Sequence, residues 1–200
     1  MQLTPAIHEF RQIPWSVEKL TEWKKAIKNK TITDWTIEHL NIQPYQHLLE
    51  IGYTSGYTLS EVARKLKIGF LAGIDESMTM YRRAYKKNKK LIRDQLLQLH
   101  IGEIHELPYP HHYFHTIYGN NSLYSYVKES GYILLPLVNL LKSGGKLAMV
   151  FQPGTTKENK VVEIAEKIKQ DYIFAGLSHI QLELRDMHPV TGVAITGYKE

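Results

Sequence analysis

The sequence predicts an α/β chain whose seven-stranded sheet is mostly parallel and finishes in an antiparallel hairpin. Three observations predict it. Short apolar runs alternate with amphipathic stretches from residue 47 to residue 170. No Gly/Ser/Pro-rich linker, internal repeat or low-complexity segment divides the chain. The last two apolar stretches are joined by a link shorter than the roughly dozen residues a parallel crossover needs, so they run antiparallel.

The elements follow in order. Ser16 is placed to cap a helix carrying Leu20, Trp23 and Ala26 or Ile27, and a second short helix carries Trp35, Ile37 and Leu40 before Pro44. Residues 1–45 are therefore expected to be a helical segment capping a site on a core over 46–200. His47-Leu48-Leu49-Glu50-Ile51-Gly52 is a first strand stopping at glycine. Thr58 to Leu66 is a helix with Leu59, Val62, Ala63 and Leu66 on one face. Phe70 to Asp75 is a second strand, and Ser77 caps a basic helix expected to bury Met78, Met80 or Tyr81, and Ala84 or Tyr85. Leu96 to Ile101 and Phe114 to Tyr118 are the third and fourth strands. A helix through Ile133, Leu134, Leu137 and Leu140-Leu141 is expected to stop at Ser143-Gly144-Gly145. Lys146 to Phe151 is a fifth strand and Lys157 to Gln170 an amphipathic helix. Ile180, Leu182 and Leu184 alternate with polar residues, and after Asp186-Met187-His188-Pro189 the last strand runs from Thr191 to Tyr198. Right-handed crossovers put helices on both faces, giving a Rossmann-like three-layer sandwich in one domain, 1–200.

Composition bounds the function classes. With 200 residues, 43% hydrophobic and 22% charged, the chain is an ordinary globular domain. It has no cysteine, which excludes disulfides and thiolate metal sites. The N-terminus lacks a basic segment followed by an apolar run, and no stretch approaches the ~18 apolar residues of a membrane span. A cytoplasmic protein is expected. The net charge is +5, with Arg82, Arg83, Lys86, Lys87, Lys89, Lys90 and Arg93 in one helix. That run is either a solvated face or a patch for nucleic acid or an acidic partner. No aromatic RNA-binding motif and no zinc finger accompanies it.

In an open α/β sheet, ligands bind beyond the carboxyl ends of the strands where strand order reverses. Four segments lie at that edge. In Glu50-Ile51-Gly52-Tyr53-Thr54-Ser55-Gly56, the first glycine lets the backbone turn sharply and the second permits tight packing where the next helix begins. The same pair serves equally in a plain strand-to-helix turn. Asp75 ends the second strand where an acid can accept both hydroxyls of a ribose, or can cap the helix. Met78 is suited to an adenine face or to the core. After the third strand, Gly102-Glu103-Ile104 offers a carboxylate to an amino group or to solvent. After the fourth, Tyr118-Gly119-Asn120-Asn121 offers polar groups to a ligand or simply a turn.

Together these segments resemble the class I S-adenosylmethionine-dependent methyltransferases, from about His47 to Phe151 and on through the terminal hairpin. His47 to Gly52, Gly73-Ile74-Asp75-Glu76-Ser77-Met78, Leu107-Pro108-Tyr109-Pro110 and Leu141 to Leu147 carry the resemblance. The proline-containing loop is similar to that of the small-molecule and lipid-precursor branches with a Leu-Pro-Phe loop. The resemblance implies a site for S-adenosylmethionine with Glu50, Gly52, Thr54 and Gly56 around the methionine part. It implies Asp75 at the ribose, Met78 near adenine, Glu103 and the amide of Ile104 at the adenine edge, and Asn120 near the methionine end, with Glu76 also among the cofactor-binding residues. The chain departs from the family pattern at Thr54, where a glycine is usual, at His115, where Asp is usual, and at Glu103, commonly Asp.

Methyl transfer from a sulfonium is an in-line displacement in which orientation supplies much of the acceleration, so no catalytic triad is needed. The catalytic residues stay unassigned. His105, His111, His112 and His115 crowd one loop without a zinc-type spacing, so no metal is expected; one of them can serve as a base or all can face solvent. Tyr124 and Tyr126 line an acceptor pocket or pack. The leading reading is a small-molecule methyltransferase. A nucleic-acid methyltransferase using the 82–93 helix is the second, although Asn121-Ser122-Leu123-Tyr124 lacks the Pro-Pro pair of the amino-methylating enzymes. A non-catalytic S-adenosylmethionine-binding protein is the third. The spacing Gly52-x-x-x-Gly56 is not the dinucleotide Gly-x-Gly-x-x-Gly, which disfavours a dehydrogenase.

Overall fold

The computed structural model describes residues 31–187 and 190–200. The expected helix capped by Ser16, with Leu20, Trp23, Ala26 and Ile27, lies outside the described residues, as do His188 and Pro189. The first described helix, α1, covers residues 31–40 and buries Ile32, Trp35 and Leu40. Then come β1 (His47–Ile51), α2 (Tyr57–Ala63), β2 (Phe70–Asp75), α3 (Met78–Arg93) and β3 (Leu97–Ile101). A 3-10 turn, Ile104–Glu106, precedes β4 (Phe114–Gly119). The remainder is α4 (Asn121–Glu129), a second 3-10 turn (Gly131–Ile133), α5 (Leu134–Leu140), β5 (Leu141–Phe151), α6 (Glu158–Phe174), β6 (Leu177–Asp186) and β7 (Thr191–Lys199).

The sheet order is β3-β2-β1-β4-β5-β7-β6. The first five strands are parallel, while β7 runs antiparallel to both β5 and β6. The chain therefore winds outward from β1 to β3 and returns to β4 on the other side of β1. That reversal puts the switch point between β1 and β4.

Burial on both faces explains why the parallel strands are nearly continuous apolar runs. Leu48 and Leu49 point to opposite faces and are both fully buried. Leu49, Ile51 and Ile74 join Leu123, Val127, Leu137, Val161, Ala165 and Ile168 under α4, α5 and α6. Leu48, Leu71 and Leu97 join Leu59, Val62 and Ala84 under α2 and α3. Each fully buried Leu, Ile or Val among them contributes roughly 1.5–3 kcal/mol.

The structure corrects two expectations and adds one element. Helix α3 buries Ala84 and Asn88, while Met78 is 51% and Tyr85 43% exposed. The small Ala84 and the amide of Asn88 pack where Gly56 approaches, and that contact sets the rotation of the helix. Ser143-Gly144-Gly145 is a bulge inside β5 rather than a stop before it. Leu141 already pairs with Phe114, and the register resumes at Lys146 beside Thr116, with Gly144 at φ 71° in between. Helix α4 was not foreseen, although Leu123, Tyr124 and Val127 lie on one buried face.

Candidate S-adenosylmethionine site

The four loops singled out in the sequence share one edge of the sheet because β1 to β4 are parallel. Ile51 lies beside Ile74 and Gly119, and Asp75 beside Ile101. Along that edge the order is Glu103 and Ile104, then Asp75, then Glu50 and Gly52, then Asn120. At about 4.8 Å per strand, the row is roughly 14 Å long.

The turn after β1 is held from several sides. Gly52 has φ 71°, its N–H donates to the Ile74 carbonyl at 2.8 Å, and an added Cβ would strike Ser122 at the start of α4. Tyr53 is buried, and its hydroxyl donates to the carbonyl of His100 on β3 at 3.0 Å. Thr54 sits at φ 48°, an unfavourable place for a β-branched residue, with its side chain exposed. Gly56 caps α2 at φ 74°, and an added Cβ would lie 2.6 Å from Asn88 Nδ2 and 2.9 Å from Ala84 Cα. Asn88 Nδ2 donates to the Gly56 and Ala84 carbonyls, each at 3.0 Å.

Asp75 faces this turn. Its Oδ2 accepts from the Thr54 N–H and its Oδ1 from the Ser77 N–H, both at 2.9 Å. A carboxylate has about four acceptor positions, so roughly two remain for a ligand's hydroxyls. Ser77 caps α3 by accepting from Met80 N–H at 3.3 Å. Met78 on α3 and Ile101 across the ladder are both exposed apolar side chains beside Asp75, at 51% and 40%. Glu76 is exposed and, with Asp75, pushes the Tyr126 phenol up to about 12, behind the larger effect of that ring's burial.

Glu50 is buried, at 2% exposure. Tyr118 on β4 donates its hydroxyl to Glu50 Oε2 at 3.0 Å, and Thr58 on α2 also hydrogen-bonds the carboxyl. Burial outweighs these bonds, Asp75 adds repulsion, and the pKa is pushed up to about 8. The bonds continue outward. The Thr58 hydroxyl lies 3.1 Å from that of Thr33, Asn120 Nδ2 donates to Thr58 Oγ1 at 3.4 Å, and Thr36 donates to Asn120 Oδ1 at 2.7 Å. Helix α1 thereby fixes Asn120 at the head of α4.

At the far end of the row, Glu103 is exposed, pairs with His105 Nδ1 at 3.3 Å, and donates its N–H to Glu106 Oε2 at 3.0 Å. The Ile104 side chain packs into the core. The histidine loop leaves this edge. His115 is the second residue of β4, and its Nδ1 accepts the N–H of His47 at the start of β1 at 2.9 Å. Four residues of strand, about 13 Å, separate it from Gly119. Burial, then Lys142, then His47 hold the His115 pKa below its ordinary value. His115 thus stands at the opposite end of the strands from the row, and His112, whose N–H donates to Asn139, lies beside Lys199.

The structure brings Glu50, Gly52, Thr54, Asp75 and Asn120 together and sets Gly56 behind them as a packing residue. Sequence reasoning missed Thr33, Thr36, Thr58 and Ser122, and had Tyr118 only as part of a polar segment after the fourth strand, because their roles arise from contacts between elements distant in the chain. The donor set fits a ribose at Asp75 and a cationic ligand part at Glu50, and the exposed Thr54 side chain does not fill the turn. No helix of the described residues is long and apolar enough to cross a membrane.

A family model described as a methyltransferase domain matches residues 48–145. The chain is 26% identical over 176 residues to an uncharacterised methyltransferase, YdaC, of Bacillus subtilis, covering 87% of this chain and 94% of that one. Among solved structures it resembles a putative S-adenosylmethionine-dependent methyltransferase of Methanococcus maripaludis, with TM-score 0.67, 19% identity and 91% of each chain covered. It also resembles a Haemonchus contortus phosphoethanolamine N-methyltransferase solved with phosphomonomethylethanolamine and S-adenosylhomocysteine. There the TM-score is 0.67 and the identity 14%, with 85% of this chain and 53% of that one covered.

Proposed function

We infer that the chain, which carries a methyltransferase domain over residues 48–145, is a class I S-adenosylmethionine-dependent methyltransferase that methylates a small molecule by in-line displacement, with the cofactor along the row from Glu103 to Asn120. The observation that carries this reading is the placement of Asp75. Two backbone N–H groups orient its carboxylate beside the glycine turn at the switch between β1 and β4. The order of residues along the edge also matches the order in which adenine, ribose and methionine are joined.

In this reading Glu103 and the Ile104 amide meet the adenine edge, Met78 and Ile101 cover its faces, and Asp75 accepts the ribose hydroxyls. Glu76 borders the ribose and holds the Tyr126 hydroxyl. Glu50, the 52–56 turn and Asn120 surround the methionine end. The cofactor supplies a methyl group already activated by the sulfonium. What the chain supplies is alignment, which is worth several kcal/mol. Helix α1 keeps Asn120 in place through Thr36 and covers this end of the row. The Haemonchus relative, whose ligand is a small phosphorylated amine, supports a small acceptor here.

Isothermal titration with S-adenosylmethionine and S-adenosylhomocysteine tests the reading on wild type and Asp75→Ala. Wild type is expected to bind both, and the variant to lose at least tenfold, the equivalent of about 1.4 kcal/mol. Equal affinity in both proteins would remove Asp75 from the site.

A further inference from the structure

Glu50 is the only buried acid among the described residues. The groups facing it are the Tyr118 hydroxyl from β4, the Thr58 hydroxyl from α2 and the Asp75 carboxylate from β2. Beyond Thr58 lie Thr33 and Asn120. None of these is a cation. Two hydroxyl donors orient an ionised carboxylate, but they do not offset the several kcal/mol that burying an unpaired charge costs. The site is a carboxyl group prepared for a positive partner that the described residues do not contribute.

The two ligands of a methyltransferase differ in that respect. S-adenosylmethionine carries a sulfonium and an ammonium against one carboxylate, whereas S-adenosylhomocysteine has lost the sulfonium charge and is neutral overall. Resting on the reading that this pocket holds the methionine end, we propose that Glu50 distinguishes cofactor from product through its own proton. Before binding, Glu50 is the neutral acid. When the cationic cofactor enters, Glu50 ionises and its proton passes to solvent. When methyl transfer removes the sulfonium charge, Glu50 takes a proton back, and the product is left facing a neutral acid. A neutral amide in the same place makes no such distinction. The ordinary range of the carboxyl, near 4.5, would leave it ionised throughout, whereas here burial pushes it up to about 8.

Titration calorimetry in two buffers of different ionisation enthalpy counts the protons exchanged. The measurements belong at pH 6 and pH 7, below the α-amino range near ~8. Wild type is expected to release about one proton per S-adenosylmethionine and to bind it about tenfold more tightly at pH 7 than at pH 6. S-adenosylhomocysteine is expected to release almost none and to bind equally at both. In Glu50→Gln the release and the pH slope disappear, and the two affinities draw together. Should that variant not fold, the wild-type contrast between the two ligands still decides, since it needs no substitution. Equal proton exchange for both ligands in wild type overturns the proposal. Absence of binding by either ligand, or full affinity in Asp75→Ala, overturns the site reading instead.

Discussion

The backbone N–H of Thr54 donates to Asp75 Oδ2 at 2.9 Å, so the residue that replaces the family's glycine fixes the acid that the ribose reading depends on. Thr54 does this from φ 48°. A non-glycine residue in the left-handed region costs about 1–2 kcal/mol. Glycine there removes the strain but loses more freedom on folding, roughly 0.5–1 kcal/mol. Thr54→Gly is therefore expected to stabilise the fold by about 0.5–1 kcal/mol while keeping the bond to Asp75. Urea unfolding measures this. A destabilised variant would show that the threonine side chain makes a contact that outweighs its strain.

Asn88 ties α3 to the turn by donating to the carbonyls of Gly56 and Ala84. Asn88→Ala leaves both carbonyls without that partner and opens space, so a loss of about 1–3 kcal/mol is expected. Gly56→Ala is expected to cost at least as much, since it forces a Cβ to φ 74° and against Ala84. The pair has a further consequence. Removing the Asn88 amide does not rescue Gly56→Ala, because Ala84 Cα still stands 2.9 Å from the added carbon. A double-mutant cycle in urea checks it, and near-complete rescue would mean that the amide alone makes the contact tight.

The strands and the candidate ligand edge were legible because the parallel strands are nearly continuous apolar runs, the first four of them stopped by Gly or Asp. The antiparallel ending followed from the short link after Asp186. What was not legible depends on contacts between distant elements. The inward turn of Asn88 has no local signature, since a polar residue in a basic helix reads as solvated until Gly56 is known to lie against it. Ser143-Gly144-Gly145 carries a helix-stop composition, yet pairing of Leu141 with Phe114 turned it into a bulge. The histidines looked like one cluster in sequence, but the loop carries His115 to the other end of the strands. The network from Glu50 to Thr36 draws on β1, α2, β4 and α1 and follows no spacing rule.

At that other end, His47 and His115 make the fold sensitive to acid. Burial, then Lys142, hold both below the ordinary 6.5. The unfolded chain then binds more protons than the folded one below that value. Stability is full above about pH 6.5 and falls as pH drops through the folded pKa values. Protonation of His115 Nδ1 would also break its bond to the His47 N–H. Melting temperatures between pH 5 and 7.5 are expected to decline toward acid in wild type and less steeply in His115→Asn. Superimposable profiles would leave the histidine pair without a part in acid sensitivity.

Glu50 has the opposite sign. Its folded pKa, about 8, lies above the ordinary 4.5. The folded state holds a proton that the unfolded state has lost. Its contribution is complete below pH 4.5 and is lost progressively as pH rises through about 8, to the extent of a few kcal/mol. Glu50→Gln removes the titrating group and keeps an amide able to accept from Tyr118. Wild type is expected to lose stability relative to this variant between pH 5 and 9, with Glu50→Gln the more stable protein at pH 9. Unfolding in urea at intervals across that range measures the difference without any ligand present. Parallel curves for the two proteins would mean that Glu50 is already ionised in the folded chain.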